Sequence, residues 1–156
     1  MILAIDPGPT KSAFVLWDGR QVHGAGWEEN ESIRSRLELF VRHSSSPRVA
    51  IEMIASYGMA VGASVFGTCV EIGRMVEVAS RNGTTPELVF RRDVKLHVCG
   101  SARAKDANVR QALIDSLGEV GTKKTPGPLY GVKSHMWAAL AVAVTAGAVT
   151  GPSGHC

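Results

Sequence analysis

The chain has 156 residues, 45% hydrophobic and 20% charged, which is enough apolar material for the core of one ordinary globular domain. That balance excludes a disordered chain. Seventeen Lys and Arg against fourteen Asp and Glu leave a formal charge of +3, a mild basic excess.

In chain order, Ile2 to Ile5 is an apolar run stopped by Asp6-Pro7-Gly8, which predicts a strand buried on both faces. Ser12 to Trp17 and Gln21 to Gly26 flank Asp18-Gly19, a hairpin signal, so the chain is expected to open as a three-stranded meander. Ile33, Leu37, Phe40 and Val41 recur at helical spacing and predict an amphipathic helix over 29–43. Ser44 to Pro47 ends it. Val49 to Ile51 then reads as a second buried strand with Glu52 at its end. Residues 59–81 read as a helix rich in small residues, stopped by Asn82-Gly83, and Glu87 to Phe90 as a further short strand. Val109, Ala112, Leu113 and Leu117 predict a helix over about 104–117, closed by Gly118. A Gly-, Pro- and Lys-rich loop covers Gly121 to Gly131, and a helix apolar nearly all round follows over about 133–148. The expectation is a single domain over 1–150, with a loose tail at 151–156.

The charge is unevenly spread. Residues 91–133 hold nine Lys or Arg against four acids, whereas the rest of the chain has an acidic excess. Such asymmetry suggests one basic face suited to a polyanion, although a plain solvated surface has the same composition. Cys69, Cys99 and Cys156 lack the spacing of a zinc or redox motif, and the first two are expected as buried reduced thiols. The start of the chain lacks the pattern of a signal peptide. Met136 to Val149, fourteen residues, is too short to span a bilayer. A soluble cytoplasmic protein without membrane contact is therefore expected.

Asp6 and Glu52 are the informative pair. Each ends an apolar strand, and the hairpin and helix between them allow those strands to lie parallel, bringing both carboxylates to one sheet edge. Carboxylates that close repel unless a cation lies between them, and hard oxygen donors suit Mg²⁺ or Mn²⁺. Taken singly, Asp6 also fits a turn former and Glu52 a solvated strand end.

The stretches IDPGPTKSAFVLWDG, VAIEM, SARAKDANVRQAL and SHMWAALAVAV, in this order over residues 2–146, resemble the RuvC-type Holliday junction resolvases. The resemblance implies an α/β RNase H-like fold, a five-stranded mixed sheet flanked by helices. It further implies a homodimer that nicks branched DNA with divalent ions, Mg²⁺ or Mn²⁺, and no small-molecule cofactor. Carried over, Asp6, Glu52 and His135 match the acidic and histidine positions of the family's catalytic site. Asp6 would bridge two ions, Glu52 would bind one or orient water, and His135 would hold one from the closing helix.

This sequence departs from the family at Ala138, where an acid usually stands one helical turn beyond His135. Asp106 stands where a basic residue is usual. It either supplies the missing carboxylate as a metal ligand or favours the positive end of its helix. His135 likewise reads as a ligand or as a structural histidine. As a ligand it must be neutral, so activity would fall below about pH 6 and be at least as good with Mn²⁺ as with Mg²⁺.

Arg91, Arg92, Lys95, Arg103, Lys105, Arg110, Lys123, Lys124 and Lys133 are the candidate DNA contacts, with Lys105 expected nearest the scissile phosphate. The helix over 59–81 is the candidate dimer contact, testable by bulk at Gly67. Phe66 and Tyr57 read either as wedges at the branch point or as core aromatics. Two competing readings are a junction-binding protein that has lost cleavage, which Ala138 keeps open, and a small actin-like nucleotide-binding domain, for which the chain lacks a second lobe.

Overall fold

The computed structural model describes residues 1–149; the expected tail at 151–156 lies outside them. Five strands form one mixed sheet in the order β3-β2-β1-β4-β5: β1 Ile2–Asp6, β2 Lys11–Trp17, β3 Val22–Glu29, β4 Arg48–Met53 and β5 Glu87–Phe90. The expected meander is present, with β1 antiparallel to β2 and β2 to β3. Beyond β1 the sheet is parallel, β1 beside β4 and β4 beside β5.

Strand alternation divides the core in two. On β1 and β4, Leu3, Ile5, Val49 and Ile51 pack with helices α1 (Asn30–His43) and α2 (Ala63–Arg81). Ile2, Ala4 and Ala50 face the other way, against α5 (Met136–Val149), with α3 (Arg91–Cys99) and α4 (Asp106–Leu117) completing that layer. Helix α5 lies against the sheet with Ala139, Leu140, Ala141, Val142 and Ala143 almost wholly buried, as its all-round apolar character requires. On the opposite layer α2 is tied to α1 by buried Glu71, which pairs with Arg34 and Arg74. None of the described helices is long and apolar enough to cross a membrane.

Several expectations are corrected. Helix α2 starts at Ala63 rather than 59, because Tyr57 and Gly58 both take positive φ and close a turn in which Met59 N–H donates to Ser56 O at 2.9 Å. Helix α5 starts at Met136 rather than 133, since Ser134 sits at φ 48°. Helix α4 starts at Asp106 rather than about 104. Helix α3 was not expected at all. Its apolar side is buried Val94 with partly buried Val98 and Cys99, set among charges, and Gly100 in the left-handed conformation ends it.

Cys69 is exposed on α2, not buried, and Cys99 is partly buried against the core. Tyr57 and Phe66 are not core aromatics, being 60% and 61% exposed. Gly67 faces its own chain, because a Cβ there would stand 3.2 Å from Pro9 Cβ. Added bulk at Gly67 therefore disturbs the Pro9 loop and does not isolate a dimer contact.

Candidate active site

The sheet register brings Asp6 and Glu52 together. Ile5 pairs with Ile51 across the parallel β1–β4 ladder, so the next residues on the two strands are Asp6 and Glu52. Ala4 and Ala50 point to the α5 layer, and alternation turns Asp6 and Glu52 the same way two residues on. The loop after Asp6 is pinned from behind. Buried Ser12 donates its hydroxyl to Asn30 Oδ1 at 2.6 Å and accepts the Gly8 N–H at 3.2 Å, while Asn30 Nδ2 donates to Gly8 O at 3.0 Å. A side chain at Gly8 would meet Lys11 O at 2.3 Å, so the turn closes this tightly only with glycine there.

A cleft of about 200 Å³ opens over the two carboxylates, and it is also lined by Arg91, Lys95, Asp106, Ser134, His135, Trp137 and Ala138. All four residues expected as ligands, Asp6, Glu52, Asp106 and His135, thus border one cavity. Burial, reinforced by the charge of Glu52, pushes the Asp6 carboxyl up to about 7, against the pull of Arg91. Burial raises Glu52 as well, although Arg91 opposes it.

Arg91 is not free on the surface. Its Nη1 stands 3.0 and 3.3 Å from the two oxygens of Glu52, and its Nη2 stands 2.6 Å from Asp106 Oδ1. The acids outweigh the cost of its partial burial and raise its pKa further. Asp106 is the first residue of α4, as the helix-end reading has it, and is also paired to Arg91. His135 stacks on Trp27, ring centroids 5.2 Å apart and planes 27° apart, and Lys11 Nζ lies 5.0 Å from the Trp27 ring centre.

Of the basic candidates, only Arg91 and Lys95 line the cleft. Arg92, Arg103, Lys105, Arg110, Lys123, Lys124 and Lys133 are exposed outside it. Arg110 covers the Trp137 ring at 5.1 Å. Lys123 and Lys124 sit at the tip of a turn closed by the Thr122 and Thr125 hydroxyls at 3.0 Å. Sequence reasoning missed Trp27 and the pairing role of Arg91. An aromatic residue near the end of the weakly apolar β3 was the available signal for the first.

Among the described residues no three His, Cys, Asp or Glu side chains are grouped closely enough to hold a metal ion between them. The donor set fits a different kind of binding. Mg²⁺ and Mn²⁺ favour oxygen ligands, and Mg²⁺ typically keeps several waters, taking one or two carboxylates and completing its shell with substrate phosphate. Asp6 and Glu52 supply such a pair.

Two solved structures share this architecture. One is described as Thermus thermophilus RuvC structure, with a TM-score of 0.67 and 20% identity over 92% of this chain and 91% of that one. The other is T. thermophilus RuvC in complex with Holliday junction substrate, with a TM-score of 0.69 and 19% identity over 92% and 90%. The chain has the RuvC fold. At this identity the likeness is one of architecture, an α/β RNase H-like five-stranded mixed sheet flanked by helices. No family model matches the sequence, and no curated protein matches it.

The raised Asp6 carboxyl has a consequence for the metal-free protein. Asp6 holds its proton in the folded state up to about pH 7 but releases it near its ordinary value of 3.8 when unfolded. Folding therefore takes up a proton between those limits, and stability falls as pH rises through that window, by at most about 4 kcal/mol from this group. Glu52 acts in the same direction. Urea melts in chelator from pH 4.5 to 8 should show the decline in the wild type and a shallower one in Asp6→Asn. Parallel profiles would assign the decline to other groups.

Proposed function

We propose that this protein is a divalent-metal-dependent endonuclease that nicks four-way or otherwise branched DNA as a homodimer. The observation that carries the reading is the pair of carboxylates on neighbouring parallel strand ends, Glu52 buried and Asp6 partly so, facing a cleft beside a basic surface. Asp6 and Glu52 would hold Mg²⁺ or Mn²⁺. When bound, that ion would polarise the scissile phosphate and ease deprotonation of the attacking water. Lys95, inside the cleft, would meet a phosphate oxygen, and Lys105 the backbone just outside it. Arg92, Arg103, Arg110, Lys123, Lys124 and Lys133 would neutralise the arms.

His135 would border the reacting phosphate in an orientation set by Trp27. Trp27→Ala is expected to slow nicking about tenfold, as loss of such support commonly does, with Trp27→Phe recovering most of the rate. An unchanged rate in Trp27→Ala would remove His135 from the account.

The outer face of α2 supports self-association. Phe66 and Val70 are 61% and 54% exposed, Gly73 lies one turn further, and the preceding loop adds exposed Tyr57 and Met59. A two-fold dimer through this face would present two clefts to a substrate that is itself nearly two-fold. Val70→Glu should yield folded monomers by light scattering, with paired nicking lost. An unaltered dimer would place the interface elsewhere.

The deciding experiment compares four-way junction with linear duplex of the same sequence in Mn²⁺. Nicks confined to the junction are expected; equal cutting of the duplex would contradict the reading. Tight junction binding without nicks would favour the second reading, a binding protein without cleavage, which rests on Ala138 lining the cleft in place of the family's acid.

A further inference from the structure

We infer that Arg91 is a resident cation that takes the place of a second metal ion, so that each subunit loads one divalent ion rather than two. This deepens the metal-dependent reading above and rests on it. Three carboxylates border the cleft, and Arg91 engages two of them, spanning both Glu52 oxygens and Asp106 Oδ1.

Glu52 is only 7% exposed, and a buried carboxylate requires a close cation. Here the cation is covalently part of the chain. A guanidinium cannot lose its proton at any working pH, so unlike a metal it neither exchanges nor dissociates. Asp6 has no ion-pair partner or side-chain hydrogen bond among the described residues. Ala138 lines the cleft without a donor atom, and the further donors on that side, Ser134 and His135, precede α5 and carry no negative charge.

The charges agree with this assignment. Asp6, Glu52 and Asp106 against Arg91 and Lys95 leave one negative charge when all are ionised, too little to hold two divalent ions. The planar guanidinium fork also suits a phosphate oxygen, and Arg91 remains about two-fifths exposed toward the cleft while holding both acids.

The test reads metal, not turnover. Mn²⁺ is titrated into the free protein by following the loss of the free-ion EPR signal. The junction complex is then frozen before cleavage and examined for the spin coupling of paired ions. The wild type is expected to bind one Mn²⁺ per chain and to show no coupling in the complex. Arg91→Met, similar in length but uncharged, should bind Mn²⁺ at least about tenfold more tightly or acquire a second, coupled ion. Arg91→Lys should keep the wild-type count.

Coupled ions in the wild-type complex would overturn the inference, as would an Arg91→Met titration identical to the wild type. If Arg91→Met fails to fold, the wild-type and Arg91→Lys counts decide, two ions in either being contrary. Absence of Mn²⁺ binding in wild type and variants alike would overturn the metal-dependent reading itself, an outcome separate from the others.

Discussion

Asp6→Asn should lower the rate of junction nicking by at least about a thousandfold while leaving the junction Kd within about threefold. The asymmetry follows from where Asp6 stands. It ends the central strand with its carboxylate in the cleft and away from the exposed basic residues, so the amide removes a charge the reaction needs and none that DNA binding needs. Removal of one electrostatic group at a reacting centre commonly costs two to three orders of magnitude, and removal of a group on which the other components depend costs more.

The substitution should also stabilise the metal-free protein at pH 8, because it replaces a buried charge by a neutral group of the same shape. Lost activity joined to raised stability distinguishes a functional carboxylate from a structural one, whose loss would lower both. Gel-shift, nicking and urea-melt measurements on one preparation provide all three readouts. Loss of binding in step with nicking would indicate damage to the fold.

Binding to a four-way junction should weaken by about a thousandfold between 50 and 200 mM salt, the response of a protein that neutralises about six phosphates. Seven of the candidate contacts are exposed outside the cleft, among them Lys123 and Lys124 on their stapled turn. They suit backbone contact without base readout. Reversing the charge of both lysines should flatten the slope of log Kd against log salt by about two and weaken all junction sequences alike. A slope below two in the wild type would argue against a phosphate-tracking surface and leave only contacts at the branch.

Much of this architecture was legible from residue types alone. The Asp18-Gly19 hairpin, the two apolar strands and the all-apolar closing helix were clear because each follows from a local period or turn preference; all are present, the closing helix starting three residues later than expected. The convergence of Asp6 and Glu52 was legible for a similar reason. Runs of three or four apolar residues ending in an acid, joined through a hairpin and a helix, leave few arrangements other than parallel neighbours.

The less legible features depend on tertiary contact. Helix α3 buries Val94 and partly buries Val98 and Cys99, too faint a period to rise above its charges. Arg91 resembled its basic neighbours in sequence, and only the approach of β4 and α4 turns it from a surface cation into the partner of Glu52 and Asp106. The exposure of Phe66 and Tyr57 was hidden because an aromatic in a small-residue helix or its approach has the same local pattern on either face.

The central claim is that Asp6 and Glu52 together hold the cation that drives strand cleavage. Its most direct test is a crystal soaked in Mn²⁺ and measured at the manganese absorption edge. One anomalous peak within coordination distance of both carboxylates, with Asp106 still bonded to Arg91, is the predicted result. A peak that touches neither Asp6 nor Glu52, or a cleft without a peak at a concentration that saturates activity, would contradict it.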